Sequence, residues 1–283
     1  MTLHINTITP NHIISVSDRL ISTPNGYIEE ANDRYKHLIL ITDDARVAIT
    51  FSGFAGMIGE NGILEESTIN WLKDIIIKTS HAGHRLWEDH IKDIKNEAEK
   101  RIEKLQVQSR VPLSELQLVI FIAGDYKGDL FGFIIDNCIE KYWMPPFYKW
   151  AGVARNSFRT AYKNYTKEKF RNGYSIAFLG NERLAIKQIK LRKQLGDYAR
   201  KEDIKNIFQT SVNLIRAVSK ESNGSVGKNC SGIRISKNDP GIQAFDDRDV
   251  KGYDVMPDVI RSTSKISGYV GNFRMINKGE GMT

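Results

Sequence analysis

The sequence predicts a layered α+β domain in which antiparallel strands form sheets and helices cover them. Three observations lead there. Runs of alternating apolar and polar residues begin at Leu3 and recur as far as Ser236, the period of half-buried strands. Between these runs lie blocks whose apolar residues fall three and four apart, the spacing of one helix face. The first four strands follow one another with no helix between them, the order of antiparallel sheets rather than of an alternating βαβ chain.

In chain order, residues 3–9 and 12–18 alternate on either side of Pro10-Asn11, giving a strand, a tight turn and a second strand. Ser22–Asp33 reads as a loop turning at Pro24-Asn25-Gly26. Lys36–Thr42 and Arg46–Ser52 are strands joined at Asp43-Asp44, and Ser52-Gly53-Phe54-Ala55-Gly56 breaks the pattern. Trp71, Leu72, Ile75 and Ile76 mark a helix. Trp87, Ile91, Ile94, Ala98, Ile102 and Leu105 mark a longer one, with Lys, Glu and Asp on its other face. Leu116–Ala123 and Leu130–Ile135 flank Gly124–Asp129, a hairpin signal. Tyr174–Leu179 is a strand running into Gly180-Asn181 and a helix from about Glu182. A further helix carries Ile204, Ile207, Phe208, Ser211, Ile215 and Val218, and Ser231–Ser236 is a late strand. The domain is thus expected over 1–236, with 237–283 a polar C-terminal extension of loops.

Composition narrows the function classes. The 283 residues are 41% hydrophobic and 27% charged, ordinary for a soluble protein large enough to bury a core. No apolar run approaches the roughly 20 residues of a membrane helix, and no secretory signal pattern opens the chain, so a cytoplasmic protein with no membrane contact is expected. Cys138 and Cys230 are too few for a disulfide framework or a zinc cluster. With no glycine-rich phosphate loop either, no cofactor is expected. His81, His84 and His90, with Glu88 and Asp89, lie at a helix start; His84 and His90 are six apart, which predicts different helix sides and a solvated end rather than a metal site.

The formal charge of +7 has a location. Residues 141–172 hold eight Lys/Arg against Glu168, which is the whole excess, interleaved with nine aromatics from Tyr142 to Phe170. Basic and aromatic residues together suit nucleic acid. The other reading is a helical insertion that packs its aromatics on a neighbour and leaves Lys/Arg in solvent; a subunit or partner contact is preferred, and nucleic acid is not the expected partner.

Thr2, Val16-Ser17-Asp18-Arg19, Lys36 and Ser52-Gly53-Phe54-Ala55-Gly56, in that order, carry a resemblance. Asp18 lies sixteen residues after Thr2, and Lys36 eighteen after Asp18, at the head of a strand that ends in an Asp-containing turn. This set resembles the proteasome β-subunit superfamily, and in particular its bacterial relatives, the two-component heat-shock peptidase and the ancestral β-subunit proteins. The likeness covers residues 2–56 and continues through Phe121–Asp125 and Ile176–Gly180; it does not account for 141–172 or 237–283. It implies a four-layer αββα sandwich of the N-terminal-nucleophile hydrolase type. It also implies cleavage of amide bonds in a peptide or protein substrate, and a homo-oligomer. A non-catalytic scaffold or interaction subunit on the same fold is the alternative.

The resemblance assigns roles. Thr2 would be the nucleophile, its own α-amine the base once Met1 is removed, as expected before a residue as small as threonine; an α-amine titrates near 8 and can take a proton at neutral pH. Lys36 would favour the ionised hydroxyl and Asp18 would orient Lys36. The Gly53 N–H would stabilise the oxyanion. Ser22 and Ala55 would pair with an extended substrate. Asn181 stands where the family has serine and can both donate and accept hydrogen bonds. Within Ser222–Gly227, Asn223 and Ser225 are the candidates for the family's distal polar positions.

Overall fold

The first two strands, β1 (Leu3–Ile8) and β2 (His12–Asp18), form the hairpin that the alternation predicts, with His4 opposite Ser17 and Ile8 opposite Ile13. The structure is a computed structural model, and it describes residues 2–23, 26–28, 36–53, 56–58, 64–109, 116–138, 154–164, 173–223, 225–237, 239, 241–246, 257–264 and 267–269. A short hairpin, β3 (Ile21–Thr23) with β4 (Gly26–Ile28), stands where a loop was expected; its strands flank the Pro24-Asn25 turn signal. β5 (His37–Thr42) and β6 (Ala45–Gly53) follow, then the small pair β7 (Gly56–Ile58) and β8 (Leu64–Ser67).

Ser67 caps α1 (Thr68–His81) by accepting from the Asn70 N–H, and α2 (Trp87–Ser109) continues the apolar stripe read from the sequence. The β9 (Leu118–Tyr126) and β10 (Asp129–Cys138) hairpin is tighter than expected, because Gly124–Tyr126 stay in the strand and only Lys127-Gly128 turn, both at positive φ. β11 (Ala154–Asn164) precedes β12 (Ser175–Gly180). The helix expected from Glu182 breaks at Gln188 into α3 (Glu182–Lys187) and α4 (Ile189–Arg200), and α5 (Ile204–Glu221) starts on the Asp203 cap. β13 (Cys230–Ser236), β14 (Ile242–Asp246), β15 (Asp258–Ser262) and β16 (Ser267–Tyr269) are the last elements among the described residues.

These strands build two large sheets, ordered β12-β1-β2-β13-β14 and β11-β10-β9-β6-β5-β15-β16. Their pairings are antiparallel except for β15 against β5. The apolar residues separate by strand parity. Leu38, Leu40, Val47, Ile49 and Ile120 pack with Trp71, Leu72, Ile76, Ile91 and Ile94 of α1 and α2. Leu3, Ile5, Ile14 and Val16 pack with Phe208, Val212, Ile215 and Val218 of α5. The alternate residues Ile8, Ile13, Ile39, Ala48, Phe121 and Ile233 form a third cluster drawn from both sheets. The architecture is therefore α+β, with helices packed on two sheets.

Two expectations are corrected. The helical reading of the basic segment fails over 154–164, where β11 pairs with β10 at a sheet edge; 141–153 and 165–172 lie outside the described residues. The sequence here does alternate, with Phe158, Thr160 and Tyr162 between Arg159, Ala161 and Lys163, but the charge and aromatic content obscured the period. The tail from Lys237 likewise supplies strands to both sheets rather than loops. Ile242 pairs with Ile235, and Val259 with Ile39. Lys73 of α1 meets Asp258 at 3.1 Å, and the Ser264 N–H donates to Asp43 Oδ1 at 2.9 Å.

Arg46 ties the sheets together far from Thr2. One guanidinium nitrogen bonds Asp125 Oδ2 at 2.5 Å and the Ser236 carbonyl at 3.1 Å, and the other bonds the Asp239 carbonyl at 2.6 Å. Arg46→Met keeps the stem and orphans these acceptors. It is expected to lower unfolding free energy by about 2–3 kcal/mol in urea titrations; a loss under about 0.5 kcal/mol would show that solvent satisfies them.

Candidate active site

Thr2, Asp18 and Lys36 meet at one point. The hairpin geometry explains the first pair, since antiparallel pairing brings the residue that precedes β1 beside the last residue of β2. Lys36 arrives from the other sheet, immediately before β5. The Thr2 Oγ1 hydroxyl donates to Asp18 Oδ1 and accepts from Lys36 Nζ, while Lys36 Nζ also reaches Asp18 Oδ2 at 3.2 Å. All three side chains are buried.

Asp18 is held by more than the sequence suggested. Oδ1 also accepts from the Leu3 N–H at 2.8 Å, and Oδ2 from the N–H groups of Leu20 at 3.2 Å and Gly227 at 3.1 Å. Donors thus converge on both oxygens, an arrangement that fits an acceptor-only carboxylate. The distal loop therefore does reach the site, through the Gly227 backbone; Asn223 sits at positive φ and the Ser225 N–H bonds the Ser222 carbonyl. Backbone donors have no side-chain signature, which is why Leu3, Leu20 and Gly227 were missed.

The other candidates sort as follows. The Asn181 N–H donates to the Thr2 carbonyl at 3.0 Å, so this residue anchors the Thr2 peptide group. Gly53 ends β6 opposite Leu118 at φ +102°, and a Cβ there would lie 2.1 Å from the Gln117 carbonyl. Glycine is thus required by the neighbouring strand, whatever its role toward a substrate. Ser22 lies within β3. Ala55 falls outside the described residues.

Gly180, unremarked in the sequence except as a strand end, is a second forced glycine. Its φ is +98°, and a Cβ would fall 1.9 Å from the Thr2 carbonyl oxygen and 2.8 Å from Ser52 Oγ. Gly180→Ala is expected to destabilise by about 2–3 kcal/mol and to displace Thr2; thermal melts check the first effect and labelling of Thr2 the second. A variant as stable and reactive as the parent would place the Thr2 carbonyl elsewhere.

With this geometry in view, the fold can be compared with known proteins. No protein-family model matches the sequence, and no curated protein matches it. Among solved structures, the chain is similar to Anbu (ancestral beta-subunit) from Yersinia bercovieri, with a TM-score of 0.51 and 9% identity over 87% of each chain. Two further likenesses are weaker. The helical assembly of the Anbu complex from Pseudomonas aeruginosa gives a TM-score of 0.46 and 10% identity, over 89% of this chain and 88% of that one. An Anbu (Gly-1) mutant from Hyphomicrobium sp. strain MC1 gives 0.45 and 10%, over 85% and 89%. The fold is proteasome-like. At such identities the likeness is one of fold, and the chemistry rests on the residues themselves.

Two histidines adjoin the three-residue cluster. His4 follows Thr2 by two residues and His37 follows Lys36 by one; their rings meet edge to face at 6.0 Å. Burial and the Lys36 ammonium push the His4 pKa down to about 3, against a smaller pull from the Phe51 carbonyl. Burial, His4 and Lys36 likewise hold His37 well below its usual value. Both imidazoles are therefore neutral at ordinary pH, and Lys36 carries the local positive charge.

One of the histidines at the α2 start differs from expectation. His90 is fully buried, its Nδ1 lies 2.6 Å from Thr79 Oγ1, and its ring is 5.7 Å from that of His84. Burial, with His84 beside it, lowers its pKa to about 4. Helix α1 supplies Thr79 and covers His90, while His81 and Glu88 are exposed and His84 and Asp89 half-buried, so the solvated end holds for all but His90. Among the described residues no group of three or more His, Cys, Asp or Glu could hold a metal ion, and no helix is long and apolar enough to cross a membrane.

Proposed function

We propose that the protein is a threonine-type N-terminal-nucleophile hydrolase that cleaves amide bonds, and that its substrates are peptides or proteins. The observation that carries this reading is the Thr2 hydroxyl held between the Lys36 ammonium and the Asp18 carboxylate. A hydroxyl so placed loses its proton into a site whose nearest cation stabilises the alkoxide. With Met1 removed, the freed Thr2 amine is the base. Thr2 Oγ1 attacks the substrate carbonyl carbon, the proton passes through the amine to the leaving nitrogen, and water then cleaves the ester. Asp18 positions Lys36, and its lone pairs are already engaged by backbone donors.

The same reading arranges the helices and sheets as a four-layer αββα sandwich, supported by a cluster shared by the two sheets and containing no helix residue. It gives Gly53 the oxyanion N–H, Ser22 and Ala55 the substrate backbone, and the chain a homo-oligomeric state with 141–172 as a partner contact. The roles of Gly53, Ser22 and Ala55 and the homo-oligomeric state rest on the resemblance, and the 141–172 contact on the basic and aromatic residues of that segment.

Hydrolysis of a fluorogenic peptide panel, run beside intact-mass measurement, tests the reading. The mass is expected to lack Met1. Thr2→Ala is expected to lose roughly 10³-fold or more in turnover with its melting behaviour little changed. A chain that retains Met1 and hydrolyses nothing would instead be a scaffold on this fold.

A further inference from the structure

The space between the sheets changes character along its length. Moving from the Thr2 end, one row across the smaller sheet reads Leu179, His4, Ser17, Ser231; the next reads Ala177, Asn6, Ser15, Ile233; the third places Ile8, Ile13, Ile235 and Ile242 side by side. The facing sheet repeats the gradient. Ser52 comes first, then His37 and Thr50, then Ile39 and Ala48. The deeper part of this layer is the apolar cluster of Ile8, Ile13, Ile39 and Ile235. The part that adjoins Thr2, Asp18 and Lys36 is polar.

That polar part is under-satisfied by protein. His4, Asn6, Ser17 and Ser231 are at most 0% exposed. Both amide atoms of Asn6 and the hydroxyls of Ser17 and Ser231 lack a protein hydrogen-bond partner among the described residues, and the His4 ring, though drawn by the Phe51 carbonyl, makes no hydrogen bond of good geometry there. A direct bond does cross the polar part of the layer, between His37 Nε2 and Ser15 Oγ at 3.0 Å. A buried amide alone offers two donors and two acceptor sites, and leaving such groups unmet is costly. Proteins meet this need with buried water, which takes two to four polar partners in a polar space. A cation fits poorly, because the Lys36 ammonium already acts on both imidazoles.

We propose that the intersheet space behind Thr2 is a water-binding site, organised by Asn6, His4, Ser17 and Ser231, that provides a proton path to the Lys36 side of the active site. Asn6 is its anchor and acts as a positioning residue, touching water and not substrate. The proton-path role rests on the hydrolase reading; the water site does not.

A crystal structure at about 1.5 Å tests the site in the parent protein. Ordered water hydrogen-bonded to Asn6 and His4 is expected. Reoriented side chains that pair with each other, with no water between them, would overturn it. Asn6→Leu tests the role, with Asn6→Ser as a second variant if the first fails to fold. The rate at which a threonine-directed electrophile labels Thr2 is expected to fall roughly tenfold or more, with a displaced pH profile. A folded variant whose rate and profile match the parent would remove the proton path. If the parent itself takes no label, the hydrolase reading and the path that rests on it both fall, while the density still decides the water site.

Discussion

Asp18→Asn is expected to lower unfolding free energy by about 3–5 kcal/mol and to abolish the reactivity of Thr2. The argument is one of donors. Asp18 Oδ1 receives the Thr2 hydroxyl and the Leu3 N–H, and Oδ2 receives Lys36 Nζ and the N–H groups of Leu20 and Gly227. An asparagine must aim its NH₂ at one of these two sets, setting donor against donor. It also leaves the Lys36 ammonium, 2% exposed, without its countercharge, and breaking a buried pair costs more than the pair itself contributes. Four chain segments meet at this carboxylate, so the damage spreads to the start of β1, the end of β2, the start of β5 and the loop at Gly227. Urea unfolding of the variant reads the cost. A loss under about 1 kcal/mol would mean that the carboxylate is not the hub described.

The second large effect is acid lability. His4, His37 and His90 are buried and neutral, with pKa values of about 3, well below the usual value, and about 4 respectively. In the unfolded chain each titrates near 6.5. Because the folded values are depressed, their neutral forms cost nothing above pH 6.5, and stability falls as pH drops from 6.5 toward the folded values, where the unfolded chain binds protons that the native one refuses. At pH 5 His4 and His90 each contribute a loss of about 2 kcal/mol, and His37 adds to it in the same direction, a large part of the stability of many domains. The charged or titratable neighbours are Lys36 and the partner imidazole for His4 and His37, and His84, Asp89 and Arg85 for His90. Unfolding curves between pH 7.5 and 4.5 check the slope. A flat profile down to pH 5 would show that these rings accept protons in the folded protein, and His90→Gln should make the slope shallower.

Much of this was written locally. Alternation about Pro10-Asn11 and the stripe from Trp87 to Ile102 specify elements because each sets a burial pattern along one short segment. The set of Thr2, Asp18 and Lys36 was legible through the resemblance; the hairpin accounts for Thr2 beside Asp18, whereas Lys36 arrives from the other sheet. The tail strands were not, because three or four apolar residues among charges become strands only when β5 and β13 offer edges, a long-range condition. Nor was the role of Gly227 legible, since it contributes only a backbone N–H. His4 and Asn6 are the polar half of the β1 alternation, and their burial depends on the second sheet that covers them, which no local pattern encodes.

The most direct test is to trap the nucleophile. The purified protein is treated with an electrophile that requires an N-terminal threonine's amine and hydroxyl together, and the adduct is located by peptide mapping. The account predicts one adduct, on Thr2, absent from Lys36→Met and Thr2→Ala. An unlabelled protein, or label that persists when Lys36 is replaced, would contradict it.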